Sequence, residues 1–259
     1  ESMRQRGASL HYQPLSAVRL HEGIVRQIVT QIVRGALPPG SALPSETSLA
    51  QQFGVSRTVI REAARLLAAK GLISVRHGSG MQVLSPEHWN YLDPFILIEQ
   101  LRSGQAQTVL RELLELRQVV ESATAALAAQ RRDDGDLAEM RMAMARMREV
   151  VADPFEYTRW DMVFHGAILT AAQNRLLARA LRQANQGLLV GRLISSQRPS
   201  GPEISLGEHE AILRAIEQQQ SEEARRLMLE HIIHFEGDIQ SSLEAGIPDS
   251  VIERALEML

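Results

Sequence analysis

The sequence of 259 residues contains no cysteine, which excludes several kinds of chemistry at once. Without thiols the chain has no disulfide framework, no thiolate nucleophile, no iron–sulfur cluster and no cysteine-based zinc site. It also has no apolar run near the roughly 18–20 residues that cross a bilayer, and no apolar secretory stretch at its start. We therefore expect a cytoplasmic protein that does not contact a membrane.

Strand patterns are scarce as well. They are confined to residues 72–83, where two short extended runs flank a glycine-rich turn and predict a β-hairpin. After Pro86 the apolar residues recur at a spacing near 3.6, which predicts an all-α bundle of about seven helices. The predicted helices of this bundle span residues 89–102, 106–130, 134–151, 154–172, 174–198, 203–218 and 220–245, with a further short helix at 248–258.

The net charge of −3 hides an uneven distribution along the chain. Residues 1–85 carry 10 Lys and Arg against 4 Asp and Glu, whereas residues 86–259 carry 18 against 27. The first part is therefore net +6 and the second net −9. A basic part joined to an acidic part indicates two roles, one of them with a polyanion, although chance clustering of charges is the alternative.

The basic part has the order helix, helix, turn, helix, hairpin. A first amphipathic helix ends at Gly35, because two prolines and a glycine in residues 37–40 cannot continue it. We expect Ser45 to cap a second helix and Ser56 to cap a third, which runs to about Lys70. With the hairpin that follows, this order is that of a winged helix-turn-helix.

The third predicted helix has the composition that a DNA-reading helix needs. Ser56, Arg57 and Thr58 lie at its start, where side chains and backbone N–H groups meet phosphates or base edges. Arg57 and Arg61 are four residues apart and so project from one face, and guanidinium groups bind guanine or phosphate bidentately. One such arginine alone is more often a solvated surface charge, but the whole arrangement indicates DNA binding.

These motifs resemble those of the GntR family of bacterial transcription factors. The blocks that match are residues 37–46, 49–50, 53–57, 59–63, 71–73 and 78–80. The resemblance implies that Arg57 and Arg61 contact bases or phosphates of operator DNA and that Ser56 and Thr58 assist them. It also implies a wing tip at His77 and Gly78, near the minor groove, and it adds Ser45 to the DNA-binding set.

The chain departs from the family pattern at two positions. Thr47 stands where many members of the FadR-type branch carry an arginine, which leaves open whether the second helix contacts DNA. Met81 replaces the threonine that is common after the wing glycine.

The acidic part contains one aspartate and three histidines that could share a metal ion. Asp161 and His165 are four residues apart and therefore lie on one helical face, while His209 and His231 lie on two later predicted helices. A carboxylate and three imidazoles suit Zn²⁺, Ni²⁺ or Mn²⁺. A lone histidine on an apolar face is more often a core residue, and His234 falls on a neighbouring face, so we leave it out.

This set resembles the ligand-binding C-terminal domain of FadR-type GntR regulators, called FCD. The matching residues are those of segment 116–121 together with Asp161, His165, Asn174, His209 and His231. The resemblance implies a cavity inside the bundle with a divalent metal, for which we expect zinc. It implies further that a small carboxylate or hydroxy acid binds against the metal.

Three residues are candidates for binding this effector. Arg117 resembles the cavity arginine that holds an effector carboxylate, and its alternative is a surface ion pair with Glu121. Asn174 and Arg192 are weaker candidates, because helix-capping and surface positions suit them equally well.

We therefore predict a mainly α protein, with an N-terminal winged helix-turn-helix of three helices and a hairpin wing, followed by an all-α bundle of about seven helices. Its expected segments are a flexible stretch at 1–14, the DNA-binding domain at 15–85, and an FCD-type effector-binding and dimerisation domain at 86–259. We expect a homodimeric transcriptional repressor that binds double-stranded operator DNA, and we do not expect an enzyme. One alternative is a metal-dependent enzyme acting on a small hydroxy acid, and another is a purely structural metal.

Overall fold

The computed structural model describes residues 17–76, 80–179, 188–198, 200–243 and 249–258. The chain divides into two compact units, Glu1–Trp89 and Asn90–Leu259. Two expectations, the flexible stretch at 1–14 and the wing tip at His77 and Gly78, lie outside the described residues.

The N-terminal unit is a winged helix-turn-helix, as predicted. Its elements are α1 (Ala17–Val33), α2 (Glu46–Phe53), α3 (Arg57–Ala69), β1 (Ile73–Arg76) and β2 (Gly80–Val83). The two strands pair antiparallel, with Ile73 opposite Val83 and Arg76 opposite Gly80. Helices α1 and α3 pack against each other around buried aliphatic side chains, among them Ile28, Ile32, Ile60 and Leu67.

Two serines fix where the second and third helices begin. The Ser45 hydroxyl accepts a hydrogen bond from the Ser48 N–H (3.2 Å), and the Ser56 hydroxyl accepts one from the Val59 N–H (3.4 Å). Each bond satisfies one of the N–H groups that the first turn of a helix leaves without an intrahelical partner. Both predicted caps are confirmed, and Arg57 is the first helical residue of α3.

The C-terminal unit is all-helical in the part of the chain that the structure describes. Its labelled helices are α4 (Pro94–Arg102), α5 (Ala106–Arg131), α6 (Asp134–Glu149), α7 (Pro154–Ala171), α8 (Leu189–Ser196), α9 (Gly201–Glu217), α10 (Ser221–Leu243) and α11 (Asp249–Met258). Residues 175–179 are helical as well. Helix α5 packs along α10, and α6 packs along α7, around one shared apolar core. No helix among the described residues has the length and apolar character that a membrane span requires.

Two predicted helix bounds in this unit are wrong. The helix expected at 89–102 begins only at Pro94, after a short 3₁₀ turn at Pro86–His88, because Asp93 accepts a hydrogen bond from the Phe95 N–H (3.1 Å) and caps it there. The helix expected at 174–198 is not continuous. Leu188 precedes α8, which covers only Leu189–Ser196, and residues 180–187 lie outside the described part.

The otherwise apolar core of this unit contains a set of buried ionisable side chains. They come from five helices whose inner faces meet: Arg117 and Glu121 on α5, Asp161 and His165 on α7, Arg192 on α8, His209 on α9 and His231 on α10.

A glycine position gives a test of the N-terminal unit. Gly71 has φ +72°, and a Cβ there would lie 1.9 Å from the His88 carbonyl oxygen, whereas Gly35 has φ +77° and open space around it. We expect Gly35→Ala to lower the unfolding free energy of this unit by roughly 1–2 kcal/mol from backbone strain alone. Gly71→Ala adds a backbone clash and should cost at least about 3 kcal/mol. Hydrogen exchange of the α3 amides in the full chain measures both, and equal losses would contradict the clash.

Candidate metal centre and nucleic-acid interface

Three histidines from three helices meet inside the C-terminal unit. The Nε2 atoms of His165 and His209 are 3.2 Å apart, and those of His209 and His231 are 3.3 Å apart. Among the described residues these three could hold a metal ion, since one ligand atom from each lies within 4.8 Å of the others. All three side chains are buried.

Asp161, the fourth residue that the sequence analysis selected, lies beside the three histidines. Its Oδ1 lies 3.3 Å from Nε2 of His209 and 3.7 Å from Nε2 of His165. The one-turn spacing of Asp161 and His165 on α7 is what directs both side chains to the same place. His234, which we left out, is two-thirds exposed.

Carboxylates stand behind two of the three imidazole rings. Glu121 Oε2 lies 2.7 Å from Nδ1 of His165, and Glu208 Oε2 lies 2.6 Å from Nδ1 of His231. A proton held at Nδ1 towards a carboxylate leaves Nε2 as a lone pair directed inwards. Converging lone pairs of this kind repel one another unless a cation lies between them, so these residues fit a divalent metal.

Burial keeps the histidines in the form that binds metal. It lowers the pKa of His165, His209 and His231, and it lowers those of His209 and His231 well below the ordinary histidine value. Burial alone would raise the pKa of Asp161, but the charge of the neighbouring Arg192 guanidinium is the largest opposing cause, and that pKa lies below its ordinary value. Neutral imidazoles and an ionised carboxylate are the protonation states required of metal ligands.

Two buried arginines adjoin the cluster. The Arg117 Nε donates a hydrogen bond to Glu121 Oε1 (2.7 Å), and both side chains are buried, so the alternative of a surface pair is wrong. Arg192, whose side chain is 3% exposed, donates to Asp161, and its guanidinium lies 3.8 Å from Glu121. Among the described residues, Nη1 and Nη2 of Arg117 and Nε and Nη2 of Arg192 have no hydrogen-bond partner.

A small cavity opens beside the cluster, with a volume of about 20 Å³. It has room for about one water molecule. Asp161, Arg192 and His231 line it, and the hydroxyl groups in its lining belong to Tyr157, Thr158, Ser195, Ser196 and Ser205. Arg117 lies behind the wall, with its guanidinium 4.6 Å from the centre of the Phe235 ring.

The other predicted effector residue is placed differently. The Asn174 side-chain oxygen accepts hydrogen bonds from the N–H groups of Leu176 (3.1 Å) and Leu177 (3.2 Å), so it caps the helical residues 175–179. Its described contacts do not join it to the cluster.

Sequence reasoning missed Glu208 and assigned Glu121 only as a partner of Arg117. Glu121 had a signal, since it lies one helical turn from Arg117. Glu208 had no sequence signal that distinguishes it from Glu210. Glu210 lies two residues later and pairs on the surface with Arg148 (2.8 Å).

The second candidate site is the exposed face of α3 in the N-terminal unit. Arg57 and Arg61 are 59% and 64% exposed, while Ile60 and Ala63 are buried on the opposite face. Thr58 and Thr47 are exposed too, and the hydroxyl oxygens of the two capping serines are already used as acceptors. The two arginines project from one face, as the spacing predicts.

Comparisons with known proteins match both units. Residues 20–83 match the family model described as bacterial regulatory proteins, gntR family, and residues 112–234 match the FCD domain. The galactonate operon transcriptional repressor of Escherichia coli (strain K12) is 32% identical over 80% of this chain and 90% of its own length. The chain belongs to the GntR family. It is an FCD-containing, DNA-binding transcriptional regulator, and the family is one of regulators and not enzymes.

Further relatives agree with this assignment. The HTH-type transcriptional regulator LutR of Bacillus subtilis (strain 168) is 29% identical over 83% of this chain and 99% of its own length. A solved structure described by the words "Lar controls the expression of the Listeria monocytogenes agr system and mediates virulence" has a TM-score of 0.63 at 19% identity. It covers 89% of this chain and 99% of that one, and it supports the fold of this GntR regulator.

The two histidines of α10 provide a matched test of the metal centre. We expect His231→Ala to weaken the binding of Zn²⁺ by at least about a hundredfold, because it removes one of the converging lone pairs. His234→Ala, three residues later on the same helix, removes only an exposed ring that contacts the other oxygen of Glu208 (2.5 Å), so it should weaken Zn²⁺ binding far less. Chelator competition and elemental analysis measure both, and equal Zn²⁺ affinities in the two variants would contradict the site.

Two ion pairs on α5 test the buried charge network. Glu121→Gln should lower the unfolding free energy by about 3–5 kcal/mol, because it leaves buried guanidinium charge uncompensated. Glu115→Gln removes a partner of Arg111 at 4.0 Å, with both side chains more than 60% exposed, and should change stability by less than about 0.5 kcal/mol. Chemical denaturation of the full chain compares them, and a small loss for Glu121→Gln would refute a structural role for the network.

Proposed function

We propose that this regulator is a homodimeric repressor whose operator binding is modulated by a sugar acid or a related small hydroxy carboxylate. The effector binds at a divalent metal held by Asp161, His165, His209 and His231. Zinc is the proposed metal, with nickel or manganese as alternatives, because three imidazoles and one carboxylate accept all three ions.

The observation that carries this proposal is the charge balance of the buried site. Arg117 and Arg192 are matched by Glu121 and Asp161 before any metal is counted. The histidines are neutral, so a dication adds two positive charges, of which Glu208 beside His231 offsets one. Buried charge is costly unless it is paired, so the loaded site favours an anion, and one carboxylate supplies the missing charge.

The cavity wall supports a hydroxyl-bearing effector. Four aliphatic hydroxyls and one phenol line the cavity together with Asp161, Arg192 and His231. Hydroxyls both donate and accept hydrogen bonds, which suits a polyhydroxylated chain with its carboxylate towards the metal. Because the cavity has room for only about one water molecule, binding such a chain requires the surrounding helices to move apart. A relative that is 32% identical is named the galactonate operon transcriptional repressor, and galactonate is such a compound.

For the DNA-binding unit we propose that Arg57 and Arg61 read or neutralise the operator, assisted by Ser45, Ser56 and Thr58. The wing residues His77 and Gly78 belong to the same proposal. A homodimer is supported by the geometry of two-fold operators, which paired heads contact in successive major grooves. Operator binding places the proposed site of action in the cytoplasm.

The effector acts only through a difference in its affinity for the DNA-competent and DNA-incompetent states. A coupling of about 1–3 kcal/mol suffices to change operator affinity about 5- to 150-fold. Because metal and carboxylate balance each other's charge, we expect effector binding to require the metal.

Thermal unfolding with and without metal tests this proposal. Galactonate at a hundred times its Kd should raise the unfolding free energy of Zn²⁺-loaded protein by about 2.7 kcal/mol and should have no effect after chelation. Arg192→Lys keeps the charge but loses the planar fork, so it should weaken the galactonate effect. Arg159→Lys, an exposed arginine of α7, should behave as the wild type does.

Three outcomes would contradict the proposal. If galactonate raised the unfolding free energy equally in chelated protein, the metal would take no part in effector binding. Chelation that unfolds the protein, with no hydroxy acid in a panel of sugar acids, hydroxy acids and dicarboxylates changing operator affinity, would make the metal purely structural. Turnover of any of these acids, abolished in Asp161→Ala, would favour the metal-dependent enzyme.

A further inference from the structure

We propose that Glu46 is a specificity-determining residue, which holds Arg61 in the orientation that reads a base and reduces its attraction to phosphate. The proposal rests on the proposed DNA-reading role of Arg61 and adds a residue from outside the reading helix. Glu46 is the first residue of α2, and it reaches across to α3.

The contacts are specific in geometry. The Arg61 Nε donates a hydrogen bond to Glu46 Oε2 at 2.9 Å, and Nη2 of Arg57 lies 3.7 Å from the same oxygen. The Glu46 side chain is 28% exposed, against 64% for that of Arg61. One half-buried carboxylate therefore faces both arginines of the proposed reading surface.

Glu46 binds the Nε atom of Arg61, and this choice of atom determines which N–H groups of Arg61 remain available to DNA. A guanidinium has five N–H donors in a fixed fork, and a bond at Nε leaves the end-on pair of Nη atoms available. That pair is the edge that binds O6 and N7 of guanine bidentately. The carboxylate thus holds the guanidinium plane while leaving its base-reading edge exposed.

The negative charge of Glu46 weakens sequence-independent binding to phosphates, which competes with base-specific binding. Each basic side chain that neutralises a phosphate adds affinity for any duplex, and this affinity falls steeply with salt. A carboxylate between two arginines offsets part of this attraction and is itself repelled by phosphates. Affinity for random DNA decreases, while a base contact that requires a fixed guanidinium is retained.

The chain offers a matched control on α3. Glu62 pairs with Arg65 at 2.9 Å, one turn further along the helix, and about half of its side chain is exposed. Glu62 lies away from the face shared by Arg57 and Arg61, since one residue advances a helix by about 100°. Glu62→Ala therefore makes the same change in net charge without releasing Arg61.

The experiment compares Glu46→Ala, Glu46→Asp and Glu62→Ala with the wild type, all as full-length protein. A random-sequence duplex pool enriched on the wild type supplies the operator. The dissociation constants for that operator and for a shuffled duplex are then measured at several salt concentrations. Circular dichroism checks that each variant is folded.

For Glu46→Ala we expect the ratio of operator affinity to shuffled-duplex affinity to fall about tenfold or more, the value of one bidentate base contact. Its affinity for the shuffled duplex should rise, with a slope against salt that is steeper by about one counterion. Glu46→Asp keeps the charge but is shorter by one methylene, so the ratio should fall while the salt slope stays unchanged. Glu62→Ala should keep the wild-type ratio.

A wild-type ratio in Glu46→Ala would overturn the inference, and so would an equal fall in Glu62→Ala, which would reduce the effect to net charge. A wild-type ratio in Glu46→Asp would overturn the positioning role. If the wild type enriches no motif at all, the proposed DNA-reading role fails and this inference fails with it, a result that differs from all the others.

Discussion

The structure of the C-terminal unit depends on a network of buried opposite charges. Glu121 and Asp161 are buried carboxylates, and each contacts a buried guanidinium, Arg117 or Arg192. Removing such groups from water costs several kcal/mol per ion, and only close pairing offsets that cost. The network therefore requires α5, α7 and α8 to keep the register in which these side chains meet, and the same register directs His165 towards the histidines of α9 and α10.

The network and the apolar core have different tasks. The apolar core, which includes Phe164, Met140 and Ile212, supplies most of the stabilisation that burial gives. The charges contribute little to net stability, because desolvation cancels much of their attraction. In the function proposed above they form the site, where a cation would lie between the converging imidazole nitrogens and an anion would pair with the arginine N–H groups that have no partner among the described residues. Glu121 connects both halves of that site, because it contacts Arg117 and His165 from its two oxygens.

Much of the fold was predictable from local rules, because caps and helical periods act over a few residues. Ser45 and Ser56 begin their helices where the sequence predicts, and the spacing of Asp161 and His165 puts both on one face. Residues that meet across helices were harder to predict. The sequence does not show that the Arg117–Glu121 pair is buried, because the burial of a helix face depends on which helices cover it. Glu208 behind His231 and Glu46 beside Arg61 join different helices, and no periodicity within one helix encodes such a contact.

The close approach at Gly71 also fixes the end of the N-terminal unit against the end of α3. There the backbone just after α3 meets the backbone of His88, one residue before the N-terminal unit ends at Trp89. The Trp89 indole adds a hydrogen bond to the Leu84 carbonyl (3.1 Å). The last residues of the unit are therefore held by contacts at His88 and Trp89, next to the C-terminal end of α3. A side chain at Gly71 would therefore displace the segment by which the chain leaves the N-terminal unit, besides straining the backbone after α3.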